Sequence, residues 1–249
     1  MREWWRRLAV AFGFLTRLPV PHQEFRASDL ALAAPLFAVV GLVVAALSVA
    51  ARVAVETLWG PVVGTVVGVL TVVVVTGALH EDGLADTADG VWGAHDPAGR
   101  LAIMRDSRLG TYGTIALIAV FALRFAVLGT TTTQVFAVAM ISGHVLGRMS
   151  AVLLVRLAPV VADSSSAGLA APVGRGGHLA AATLTVVPLV LAGGVLTVLL
   201  VPLAVAVTAA SARLLRHRLG GVNGDALGAT VVLVELCSVA AVVAWYRLI

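Results

Sequence analysis

The chain has no lysine, only one cysteine and few charges of either sign. Each scarcity removes a class of protein. A lone Cys237 excludes a disulfide framework and a cysteine zinc site. Set in an apolar run, it reads as a small buried hydrophobe. Charged residues are 12% of the chain and apolar ones 60%, too little polarity to surface a soluble domain. The formal charge of +4 rests on 17 basic residues, all arginine, and their dispersal argues against a nucleic-acid surface. The N-terminus is arginine-rich, but the next apolar run outlasts a signal core and has no clear cleavage site, so no removable leader is expected.

What remains is a polytopic membrane protein. Apolar runs at about 32–55, 61–79, 112–129, 135–155, 179–197, 199–214 and 226–246 predict an all-α transmembrane helical bundle. About seven spans are expected, within a range of six to eight, in a single integral membrane domain over 1–249. The region 179–214 reads either as two short helices broken near Pro202 or as one long bent helix. Two are preferred, because the run is too long for one ordinary crossing. Residues 1–31 carry Trp4, Trp5, Arg6 and Arg7 and read as an interfacial amphipathic segment, ended by Pro19 and Pro21. Within it Arg17 can face a phosphate-bearing substrate.

Arginine placement orients the bundle. With the N-terminus inside, Arg2, Arg6, Arg7, Arg17 and Arg26 share a side with Arg100, Arg105, Arg108, Arg156, Arg175, Arg213, Arg216 and Arg218. Only Arg52 and Arg247 fall opposite, a split of thirteen to two. The polar segments 80–111, 156–178 and 213–225 are thereby predicted to lie together on the cytoplasmic face.

One of these segments is unusual. His80-Glu81-Asp82-Gly83-Leu84-Ala85-Asp86-Thr87-Ala88-Asp89-Gly90 packs four carboxylates into nine positions, in a chain with only 13 acidic residues. On a helix Asp82, Asp86 and Asp89 point within about 60° of one another. Three like charges on one stripe repel unless a cation sits among them, and carboxylates suit Mg²⁺, which completes its shell with water and phosphate oxygens. Capping would account for one aspartate per helix end, not for three in phase.

The acidic loop region 80–111 continues into Arg105-Asp106-Ser107-Arg108-Leu109-Gly110-Thr111-Tyr112-Gly113. Arg105 and Arg108, three apart, can clamp phosphate oxygens, and Gly110 and Gly113 let backbone N–H groups approach an anion at a helix start. Asp106 can join a metal site or accept a proton. Within the spans, Arg124, Arg148 and Glu235 are costly in lipid and ask for partners. Arg148 can reach a diphosphate, and His144 reads as a helix-packing hydrogen-bond donor. Asp225 opens the last span as a cap, a further ligand or a base.

These motifs resemble the adenosylcobinamide-GDP ribazoletransferase, or cobalamin (5′-phosphate) synthase, family over nearly the whole chain. The resemblance rests on the acidic stretch, on Phe14-Leu15-Thr16-Arg17-Leu18-Pro19-Val20-Pro21, on Ile103 to Gly113, on Gly147-Arg148-Met149-Ser150, and on Gly220-Gly221-Val222-Asn223-Gly224-Asp225-Ala226-Leu227-Gly228-Ala229. Asn223 departs from the threonine expected before Gly-Asp. The resemblance implies a Mg²⁺-dependent transferase of vitamin B12 biosynthesis in a prokaryotic inner membrane, its active site facing the cytoplasm. Adenosylcobinamide-GDP and α-ribazole, or its 5′-phosphate, would give adenosylcobalamin or its 5′-phosphate with release of GMP. Asp82, Asp86 and Asp89 would hold the metal, and Arg17, Arg105, Arg108 and Arg148 would bind substrate. Asp82, Asp106 and Asp225 would serve catalysis. A homo-oligomer stays open.

Two other readings compete. A CDP-alcohol phosphotransferase also uses membrane aspartates, but its Asp-Gly-x-x-Ala-Arg run has no counterpart where Thr87-Ala88-Asp89 stands. An ion-coupled transporter would place its carboxylates near mid-bilayer at broken helices.

Overall fold

The structure, a computed structural model, describes residues 2–21, 27–161 and 167–249. Arg26 and part of the polar segment 156–178 lie outside the described residues. Ten α-helices follow one another: α1 (Arg2–Leu15), α2 (Ala27–Ala33), α3 (Phe37–Thr76), α4 (Leu79–Gly93), α5 (Pro97–Met104), α6 (Thr111–Leu128), α7 (Thr133–Leu157), α8 (Arg175–Gly193), α9 (Thr197–Leu219) and α10 (Gly224–Leu248). No strand forms among the described residues; Val160 and Val222 make one isolated bridge.

Among the described residues, five helical stretches are long and apolar enough to cross a membrane: Asp29–Thr76, Thr111–Leu128, Thr133–Leu157, Arg175–Leu219 and Gly224–Leu248. Two of them double back. In α3, Gly60 takes φ 80°, ψ 172°, a conformation open to glycine, and Pro61 follows without an N–H to continue the ladder. The Ser48 hydroxyl then donates to the Gly68 carbonyl at 2.8 Å, so residues 37–59 and 61–76 lie antiparallel.

The second reversal corrects the expected break near Pro202. Pro202 lies inside α9, and the chain turns instead at Gly194, with φ 55° and ψ −128°. Gly193 lies against Val138 near the start of α7, while Gly177 and Arg213 lie at its far end, beside Val152 and Leu157 respectively. Polarity alone did not show which breaker acts, because only the glycine permits the reversing backbone angles.

Burial sorts the helices. The most apolar windows of α7 and α10 are 78% and 72% buried, whereas those of α6 and of the α8–α9 stretch are each 22% buried. The first pair forms the core and the others present Ile118, Leu191 and Val198 outward, as lipid-facing surface does. Helix α1 buries Val10, Ala11 and Leu15 while Trp4 and Trp5 stay exposed, and Arg6 pairs with Asp29 at 2.8 Å.

At the hairpin tip Arg52 is fully buried. Its Nε donates to Glu56 at 2.8 Å and Nη1 to the Thr65 hydroxyl at 3.1 Å; the guanidinium carbon lies 4.5 Å from the Phe136 ring centre. This clasp ties α3 to the α6–α7 turn.

Candidate functional site

The acidic segment expected as a loop is mostly helical. After Gly77 and Ala78, both left-handed at φ 65° and 59°, α4 sets off against α10. Gly83 makes that crossing possible: a Cβ there would stand 2.7 Å from the Asp225 carbonyl oxygen. The two backbones touch, so Asp82 and Asp86 are carried to the first turn of α10, where Asp225 sits. Asn223, not Asp225, caps that helix; its side-chain oxygen accepts from Ala226 N at 3.0 Å and its amide donates to Asp225 Oδ2 at 3.1 Å. The cap considered for Asp225 thus belongs to Asn223, so the Asp225 carboxylate is not spent on the helix N–H groups.

The clustering leaves an electrostatic mark. Burial first, then the charges of Asp82, Asp225 and Asp89, pushes the Asp86 carboxyl up to about 6. A raised carboxyl favours the folded state below its ordinary value of 3.8 and loses that contribution as pH rises through about 6. Metal-free protein should therefore lose thermal stability between about pH 4 and 6. Asp86→Asn should flatten that limb of a melting-temperature profile; an unchanged profile would remove Asp86 from the cluster.

Asp89 behaves differently from its two stripe partners. It is buried, and its oxygens accept from Gly110 N at 2.8 Å and Gly113 N at 2.9 Å. The anion expected at the start of α6 is therefore the chain's own aspartate, pinning the 105–113 segment to α4.

Asp82, Asp225, His80 and Arg148 converge on the polar end of a cavity of about 140 Å³. Burial, then the Arg148 charge, holds the His80 imidazole down to about 3, so it is neutral. Arg148 has no exposed surface. Its Nη1 meets Glu235 and lies 2.7 Å from His144 Nδ1, while Nε and Nη2 have no protein partner. Behind it Arg124 donates to Glu235 at 2.6 Å and to Glu81 at 3.3 Å. Glu235 therefore serves both span arginines. Arg124 belongs to this network and not to the cavity wall, and His144 packs as expected.

The remaining sequence candidates stay outside the cavity. Asp106 binds Arg108 at 2.6 Å on an exposed loop, and that guanidinium holds its carboxyl down to about 2. Arg105 is exposed on the same loop. Arg17 is exposed too, its stem lying across Gly77 and its N–H donating to Val75 O at 2.7 Å. His80 and Glu81 belong to the acidic stretch quoted from the sequence but were given no role there; their place directly before Asp82 was the available signal.

Among the described residues no group of three or more His, Cys, Asp or Glu side chains is arranged to hold a metal ion. Mg²⁺ does not need such a cage, since one or two carboxylates and substrate phosphates suffice. The Asp225 carboxylate and the mutual repulsion felt by Asp86 fit that kind of shared site. Asp89, already saturated by two amides, fits less well.

A family model described as cobalamin-5-phosphate synthase matches residues 7–243. The chain belongs to the cobalamin-5-phosphate synthase family. Curated relatives agree in name and in extent. Proteins named adenosylcobinamide-GDP ribazoletransferase from Shewanella halifaxensis and Ralstonia nicotianae are 38% and 36% identical to it. The first match covers 92% of both chains; the second covers 98% of this chain and 97% of the relative. A third, from Azorhizobium caulinodans, is 37% identical over 96% of each. No solved structure matches the chain. The synthase match runs from α1 into α10, so every element around the cavity falls within it.

Proposed function

We propose that this synthase-family chain is a membrane transferase that joins adenosylcobinamide-GDP to α-ribazole, or to its 5′-phosphate, and releases GMP. The observation that carries the reading is that Asp82 and Asp225, with Asp86 close enough to feel both charges, share one cavity with a buried, half-satisfied Arg148. A ribose hydroxyl forms a new P–O bond to the phosphorus that carries cobinamide. The bond from that phosphorus to the GMP oxygen breaks, and the hydroxyl proton passes to Asp225. A bound Mg²⁺ would neutralise charge on the diphosphate, and Asp82 and Asp86 are the side chains that would hold it. Asp89 fixes α6 against α4 and keeps the pair oriented.

Arg105, Arg108 and Arg17 line the approach as exposed guanidiniums, and Arg108 exchanges Asp106 for diphosphate oxygens when substrate arrives. Arg105→Lys and Arg108→Lys keep charge but lose the two-pronged geometry. Each should lower turnover about tenfold, near the worth of one charge-assisted hydrogen bond, with unchanged melting. Lysine variants as active as the parent would remove the clamp.

Counting each hairpin as two crossings gives seven spans in one integral domain, in a prokaryotic inner membrane. The arginine split supports a cytoplasmic N-terminus and a cytoplasmic active site. The assembly state is left open. Proteoliposomes test the function: with adenosylcobinamide-GDP, α-ribazole and Mg²⁺ outside, vesicles exposing the arginine-rich face should release GMP and take up no cation. Cation uptake without GMP would establish the transporter reading instead.

A further inference from the structure

The cavity is the unassigned feature with the clearest chemistry. Away from its polar end the wall is made of Phe14, Leu15, Phe37, Ala151, Leu169 and Val231. The Phe14 and Phe37 rings stack on each other, 5.9 Å apart at an interplanar angle of 18°, and give this part of the wall an aromatic character. At about 140 Å³ the space far exceeds the roughly 15 Å³ that one water requires. None of these six side chains offers a donor or acceptor. At the polar end, the fully buried Arg148 has two N–H-bearing nitrogens with no partner.

We propose that this cavity seats the heteroaromatic base of the ribazole substrate, with its ribose turned towards Arg148, Asp82 and Asp225. The inference rests on the transferase reading and goes further by assigning one substrate to one compartment. Size excludes the corrin macrocycle, which must stay outside the bundle against the loops. Polarity excludes guanine, the other flat base in the reaction. Its ring edge carries several donors and acceptors, and burying them without partners is unfavourable. A benzimidazole nucleoside has a single ring-nitrogen acceptor where guanine has several polar groups, and the rest of its ring gains from aromatic and aliphatic walls. Its ribose hydroxyls are the groups that satisfy the free nitrogens of Arg148. In this arrangement the attacking hydroxyl emerges beside Asp82 and Asp225, where the diphosphate comes from the other side.

Steady-state GMP release by the full chain in detergent tests the assignment, with each substrate varied in turn. Ala151→Phe fills the cavity from α7 and should raise KM for α-ribazole at least tenfold, leaving KM for adenosylcobinamide-GDP within twofold. Leu169→Ala enlarges it and should raise the relative rate with a riboside of a larger, benzannulated base. If Ala151→Phe does not fold, Leu169→Ala decides alone. A KM shift confined to adenosylcobinamide-GDP, or base selectivity unmoved by Leu169→Ala, would overturn the assignment while leaving the transferase reading intact. Absence of GMP release by the unaltered chain would instead sink that reading, and the assignment with it.

Discussion

Glu235→Ala should lower the stability of the bundle by about 3–5 kcal/mol and abolish turnover. Glu235 is 2% exposed and meets Arg124, Arg148 and His144 at once. Its removal leaves two buried guanidiniums with only Glu81 between them, and an uncompensated charge inside a low-dielectric bundle is far costlier than a missing contact. Glu235→Gln should do less harm, because the amide still accepts a hydrogen bond although the charge is gone. A double-mutant cycle checks that charge is the cause. Adding Arg148→Met to Glu235→Ala should cost less stability than the two single changes predict together, by thermal melts in detergent. Simple additivity would mean that the network contributes packing only.

The stripe should split in two under substitution. Asp82→Asn removes one of several repelling charges on an exposed face, so the metal-free protein should be as stable as the parent or slightly more so. Turnover should nevertheless fall at least a hundredfold, on the order of 3 kcal/mol of transition-state stabilisation. Asp89→Asn should show the reverse balance. An amide offers one oxygen where the carboxylate satisfied two N–H groups, so about 1–3 kcal/mol of stability should be lost. Turnover should fall less than in Asp82→Asn and recover partly on cooling, as the α4–α6 contact reforms. Melting and GMP release measured on the same preparations separate the two roles. Equal losses of turnover with no loss of stability in both variants would return Asp89 to the metal.

Much of this was legible in the chain. The all-helical membrane bundle, the aspartate stripe on one helical face and the need of Glu235 for arginine partners all follow from spacing and polarity. Those signals are local or nearly so: a helix fixes where residues three and four apart must point. The pairing of Asp82 and Asp86 with Asp225 was suggested only by a shared membrane face. The reason it occurs, the Gly83 crossing against the α10 backbone, is a contact between residues far apart in sequence. Gly110 and Gly113 were read correctly as a place for an anion, yet sequence could not show that Asp89 supplies it. Arg148, read as able to reach a diphosphate, lines the cavity with Asp82 and Asp225, whereas Asp106 and Arg108 pair with each other on an exposed loop, a contact their spacing alone did not specify. Arg52, read as a marker of the outer side, is a buried clasp because Thr65, Thr131 and Phe136 close around it.

In the proposed reaction Asp82, Asp86 and the substrate diphosphate share one divalent ion. Mn²⁺ binding followed by electron paramagnetic resonance, with and without adenosylcobinamide-GDP, tests it most directly. Binding should be weak to the protein alone, at least tenfold tighter with the nucleotide substrate present, and should lose that gain in Asp82→Asn. Equal Mn²⁺ affinity in parent and Asp82→Asn, together with normal GMP release by the variant, would contradict it.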